Sequence, residues 1–91
     1  SINERSIEIA PRNVLMLIEN QDTPGMVGML GTILGKHGVN IATMALNRQH
    51  AGENALAIFE LDEFPASDAV DEIAATPHII SVRLVDLRHI R

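Results

Sequence analysis

Ninety-one residues make one small domain, long enough for a two-layer fold that buries roughly 60 to 65% of its unfolded surface and too short for two cores. Seven basic residues against twelve acidic ones leave a net charge of −5 with no cluster of Lys or Arg, which argues against a nucleic-acid partner. Without cysteine there is neither a disulfide nor a thiolate zinc site, His37, His50, His78 and His89 are too scattered for a metal motif, and no apolar run approaches the ~20 residues that span a bilayer.

The apolar fraction of 46% fits a folded chain, but Phe59 and Phe64 are its only aromatics. A core built from Ile, Leu, Val, Met and Ala in so short a chain is thin, and self-association as a homodimer or larger is the expected supplement. With no basic and apolar leader, the expected location is cytoplasmic.

Residues 2–10, INERSIEIA, alternate Ile7 and Ile9 ahead of Pro11, so residues 1–12 are expected to be a linker or edge strand arriving from a preceding domain. Residues 13–20, NVLMLIEN, form a nearly continuous apolar run and predict a central strand, β1, buried on both faces or nearly so. Next comes DTPGMVGMLGTILGKHGVN, in which Thr23 is suited to cap a helix, α1, and Pro24 to occupy its first position. Met26, Val27, Leu30, Ile33, Leu34 and His37 recur at three- and four-residue spacing, with Gly38 as the C-terminal cap. Gly28, Gly31 and Gly35 share another face, and since each costs about 1 kcal/mol relative to alanine, that face is expected to lie tight on the sheet or on a partner.

Residues 39–49, VNIATMALNRQ, alternate as a second strand, β2, and residues 55–62, ALAIFELD, as a third, β3. HAGEN, centred on Gly52, joins them as a hairpin turn. FPASDAVDEIAATP predicts a second helix, α2, with Ser67 as its cap, Val70, Ile73 and Ala74 as its apolar stripe and Pro77 as its stop. Residues 78–87, HIISVRLVDL, alternate once more as a fourth strand, β4, and residues 89–91 are left as a tail, so the folded domain is expected over 13–88.

The order βαββαβ predicts a ferredoxin-like α+β sandwich: a four-stranded antiparallel sheet with both helices on one face and β1 and β3 in the middle. In that arrangement the corner between β1 and α1 is expected to lie near the start of β2.

Catalytic and nucleotide motifs fail on inspection. GMVGMLG is G-x-x-G-x-x-G inside a helix, not the G-x-G-x-x-G of a dinucleotide turn, and a phosphate loop ending on Gly35-Lys36 would need glycine and a hydroxyl where Leu30 and His37 stand. Ser1, Ser6, Ser67 and Ser81 have no histidine placed to activate them, so no catalytic residue is expected in this segment. What remains is polar punctuation: Asn20 and Asp22 at the end of β1, and Asn40 before β2. A small zwitterion needs acceptors for its ammonium and donors for its carboxylate. Asp22 supplies the first, the amides of Asn20 and Asn40 either, and the backbone N–H groups of Gly25 and Met26 more of the second.

NQDTPGMVGMLGTILGKHGVNIATMALNR resembles the core of the ACT-domain family, small regulatory modules that bind amino acids, and the likeness runs from about residue 14 to 87. GENALAIFELDE and HIISVRLVDL place it nearest the C-terminal ACT domains of D-3-phosphoglycerate dehydrogenases. The resemblance implies L-serine bound between two ACT domains whose sheets join side by side, the glycine-bearing helices packed together, and feedback on an oxidoreductase that holds NAD in another domain. The family's contact positions fall on Asn20, Asp22 and Asn40. Two alternatives carry the same features: the similar domain of iron–sulfur L-serine dehydratases, and a dimerisation module without ligand.

Overall fold

The run VLMLIENQ forms β1, Val14–Gln21, in the computed structural model, which describes residues 13–48 and 53–88. Its side chains alternate strictly, with Val14, Met16, Ile18 and Asn20 buried and Leu15, Leu17 and Glu19 only half-buried. The expectation of burial on both faces is therefore corrected: the run is apolar on both sides, but helices cover one side only.

The remaining elements are α1 (Met26–Lys36), β2 (Ile41–Arg48), β3 (Asn54–Leu61), α2 (Ser67–Ala74) and β4 (Ile79–Asp86). The strands form one antiparallel sheet in the order β2-β3-β1-β4, so the ferredoxin-like order and the central pair are as predicted. Register sets the core: Met16 lies opposite Phe59, and Phe59 opposite Met44 on the outer strand β2. Over this row close Leu30 and Leu34 from α1 and Ile73 from α2, all fully buried. Residues 1–12, the turn at 49–52 and the tail at 89–91, with the expectations attached to them, lie outside the described residues.

Both ends of α1 are made by glycine. The sequence reading put Thr23 at the cap and Pro24 at the first helical position, but α1 begins two residues later. Gly25 sits at φ 81°, ψ 0°, and the Met26 N–H donates to the Thr23 carbonyl at 3.3 Å, so Pro24-Gly25 is the centre of a type II turn and not a first helical turn. At the far end His37 is the last half-helical residue and Gly38 adopts φ 72°. The Val39 N–H reaches the Leu34 carbonyl at 2.8 Å and the Gly38 N–H that of Gly35 at 2.9 Å, the paired bonds of a Schellman motif, with Val39 and Leu34 both in the core. Gly38→Ala is expected to destabilise the domain by about 1–2 kcal/mol, because a β-carbon is disfavoured at positive φ. Urea unfolding reads this directly, and an unchanged midpoint would contradict it.

The core-facing stripe of α1 is Met26, Leu30, Ile33 and Leu34. Gly28, Gly31 and Gly35 face the other way, and a β-carbon built on any of them meets nothing within 4 Å. Close approach of these glycines to the sheet is thus excluded, and their face is open in the single chain. α2 lacks the expected Ser67 side-chain cap: Ala66 occupies the capping position and Ser67 is already helical. Its stripe is Ala69 and Ile73, with Val70 partly buried against the core as expected and Ala74 exposed. The helices are clasped through Glu72, which accepts from Lys36 Nζ at 2.5 Å and pairs with His37 Nε2 at 2.8 Å. The hydrogen bond from Lys36, then that from His37, holds the Glu72 carboxyl below the ordinary carboxylate range. No described helix is long and apolar enough to cross a membrane.

Candidate ligand cleft at the first corner of the chain

The buried face of β1 ends in an amide. Asn20 continues the alternation of Val14, Met16 and Ile18 and is 1% exposed, so it must be hydrogen-bonded, and its Nδ2 donates to the Ile18 carbonyl at 3.1 Å. Backbone bonds then secure the exit of the strand on both sides. The Gln21 N–H donates to the His78 carbonyl and the Asp22 N–H to the Glu53 carbonyl, each at 2.8 Å. The type II turn at Pro24-Gly25 reverses the chain into α1, whose first turn therefore stands directly above Asn20 and Asp22.

These elements enclose a cleft of about 490 Å³, lined on one side by Asn20, Asp22 and the first turn of α1 from Met26 to Gly28, and on the other by Leu46 and Arg48 of β2. Sheet register creates it. Asn20 and Arg48 both lie opposite Ala55, so amide, methyl and guanidinium occupy one row across β1, β3 and β2, and the two outer members of that row reach the same cleft. Arg48 Nε lies 3.2 Å from Asp22 Oδ2, with the carboxylate side chain 13% exposed and the arginine 50% exposed. A shielded negative charge and a neighbouring positive one are thus held side by side over an apolar floor.

Four of the five residues expected to bind line this cleft: Asn20, Asp22, Gly25 and Met26. The donors differ in detail, since the Met26 N–H is spent on the Thr23 carbonyl and the N–H groups of Val27 and Gly28 are the next without an acceptor inside the helix. Asn40 is not brought to the group. β1 and β2 are each antiparallel to β3 and so run the same way; Ile41 opposes Leu61, as Val14 does, whereas Gln21 opposes Asn54. One strand length, about 25 Å, therefore separates the end of β1 from the start of β2 within one chain. There Asn40 donates from Nδ2 to the Asp62 carboxylate. The expected proximity of these two loops within one chain is corrected accordingly.

Arg48 and Leu46 line the cleft without being among the residues expected to bind. The alternation of β2 placed them on one face with Met44, but only the register of β2 on β3 shows that this face ends over Asn20. A larger, shallower depression of about 730 Å³ lies on the opposite sheet face, where Glu19 and Glu53 meet Asn47 and Asn54. Among the described residues its lining carries two carboxylates and no basic group.

Comparison with known proteins places the chain among relatives of one family. A family model described as ACT domain matches residues 14–78. The chain is 38% identical over 86 residues to D-3-phosphoglycerate dehydrogenase of Bacillus subtilis, covering 94% of this chain and 16% of that protein. It is 30% identical over 81 residues to D-3-phosphoglycerate dehydrogenase of Methanocaldococcus jannaschii, covering 89% of this chain and 16% of the relative. The chain thus spans about one sixth of the length of these relatives. Among solved structures, the ACT domain from GTP pyrophosphokinase of Chlorobium tepidum superposes with a TM-score of 0.58 at 18% identity, covering 80% of this chain and 96% of that one, a likeness of fold.

Proposed function

This chain belongs to the ACT-domain family, and on that premise we propose that it is the regulatory domain of a D-3-phosphoglycerate dehydrogenase, sensing L-serine where two copies meet. The observation that carries the reading is the cleft itself: a shielded carboxylate, a buried amide, first-turn helix N–H groups and a guanidinium converge on a space suited to a small zwitterion.

The second copy is argued from the edge. β2 is an outer strand whose helix-side residues Met44 and Leu46 remain 43% and 37% exposed, and the glycine face of α1 beside it is bare. Pairing two β2 strands antiparallel about a two-fold axis removes both free edges. It also sets the start of one β2 against the end of the other, which carries Asn40 of one copy to the Arg48 end of its mate's cleft and supplies the contact that one chain lacks. A ligand bridging two copies favours the quaternary arrangement in which both halves of its site are assembled, and so shifts the state of the attached enzyme, whose NAD would be held elsewhere in the parent chain.

The test is calorimetric titration of the full chain, as its gene encodes it, with L-serine and a panel of other amino acids. L-serine is expected to bind, and Asn40→Ala to weaken it about tenfold while the dimer persists in sedimentation. Absence of heat and of thermal shift for every amino acid would remove the reading.

A further inference from the structure

Arg48 stands at the mouth of the cleft in a particular state. Its Nε is 3.2 Å from Asp22 Oδ2, which orients the guanidinium, while its two terminal nitrogens have no acceptor among the described residues. It projects from the last position of β2, in the same cross-sheet row as the buried Asn20, so its place is set by strand register and not by a loop. A guanidinium held by an ion pair on its Nε side still presents its terminal N–H groups in the planar fork that matches a carboxylate. Beside it, Asp22 presents an acceptor of the opposite sign.

We infer that Arg48 is the specificity-determining residue of the cleft and receives the ligand's α-carboxylate through its terminal nitrogens, while Asp22 accepts from the ammonium. This rests on the amino-acid-binding reading above and adds to it the residue that reads the carboxylate: the two charges of an α-amino acid are one carbon apart, as the paired charges of Asp22 and Arg48 are adjacent. A cationic amine meets Arg48 as a like charge, and a carboxylic acid without ammonium meets Asp22 as one, so each is rejected by the half of the pair it cannot satisfy. The first turn of α1 adds backbone N–H donors, but these accept any anion and do not distinguish among ligands.

The experiment titrates the full chain and its Arg48→Met and Arg48→Lys variants with L-serine and with L-serinamide, which keeps the ammonium and hydroxyl but has a neutral amide for its carboxylate. The parent protein is expected to prefer L-serine by about 10- to 100-fold, the range for a charge-assisted hydrogen-bonded contact. Arg48→Met is expected to lose that preference by weakening L-serine alone, with L-serinamide unchanged or improved, and Arg48→Lys to recover part of it. Equal weakening of both ligands would mean that Arg48 only steadies Asp22, and no change in either would mean that it stands outside the site; both overturn the inference while leaving amino-acid binding intact. If the parent protein binds neither compound nor any other amino acid, the underlying reading fails instead. Arg48 is half exposed on an edge strand, so the variants are expected to fold, which their unfolding midpoints verify.

Discussion

Phe59→Ala is expected to strip the domain of a large share of its stability. Phe59 is 1% exposed at the middle of β3, between Met16 and Met44 in the cross-strand row, and is the largest fully buried side chain. Truncating a buried phenylalanine costs about 3–5 kcal/mol through lost transfer free energy and the cavity left behind. A domain of this length holds roughly 5–10 kcal/mol in all. Few neighbours can move in, because the surrounding chains are anchored in strand and helix, and no second aromatic shares the core: Phe64 is 46% exposed, with Arg88 stacked 5.7 Å from its ring centre. Thermal denaturation followed by circular dichroism would show the midpoint falling by well over 10 °C, on the usual scale of about 4–8 °C per kcal/mol for domains of this size. Phe64→Ala, its exposed counterpart, should lower it by only a few degrees. Equal shifts for the two would place the core elsewhere.

Asp22→Ala is expected to weaken L-serine by about 10- to 150-fold without unfolding the protein, the range for a hydrogen bond to a charged group left unmade. The carboxylate side chain is 13% exposed, so its charge acts on the cleft more than on bulk water, and its removal leaves Arg48 to repel the incoming ammonium. The fold is spared because the structural duty of this position is carried by the backbone: the Asp22 N–H holds the Glu53 carbonyl at 2.8 Å whatever the side chain. Calorimetry reads the affinity, and Asp71→Ala, a change to an exposed carboxylate on α2, should leave it unaltered. Retention of full affinity by Asp22→Ala would reduce the residue to a turn former and remove the cleft's chief acceptor.

Much of this architecture is written locally. The alternation of β2, β3 and β4, the three- and four-residue spacing of α1 and the stop at Gly38 are each decided by side-chain period or by one backbone angle, and they gave the order βαββαβ to within a residue or two. The start of α1 was misread because Thr23 and Pro24 suit a helix entrance and a type II turn alike, and the left-handed Gly25 decides between them. The glycine stripe identified a face correctly but not what that face meets, since period gives angle around a helix and nothing about its neighbours.

The candidate site divides along the same line. Asn20 and Asp22 were legible as polar residues closing an apolar run just ahead of a helix. Arg48 was not, because its partnership with Asp22 spans 26 residues of sequence (48 − 22) and depends on how two strands slide against a third. The placement of Asn40 went astray for the same reason: strand direction in the sheet, not nearness along the chain, sets which ends meet.

By itself, then, the amino-acid order determined the elements, their succession, the core composition and the polar corner after β1, all of which follow from interactions within a few residues. The tertiary structure alone decided which of those polar groups share a cleft, that an arginine from the edge strand joins them, and that Asn40 lies a strand length away beside Asp62. Register and strand direction are properties of the sheet as a whole: a shift of one residue turns every side chain to the other face, and no short stretch of sequence carries that information.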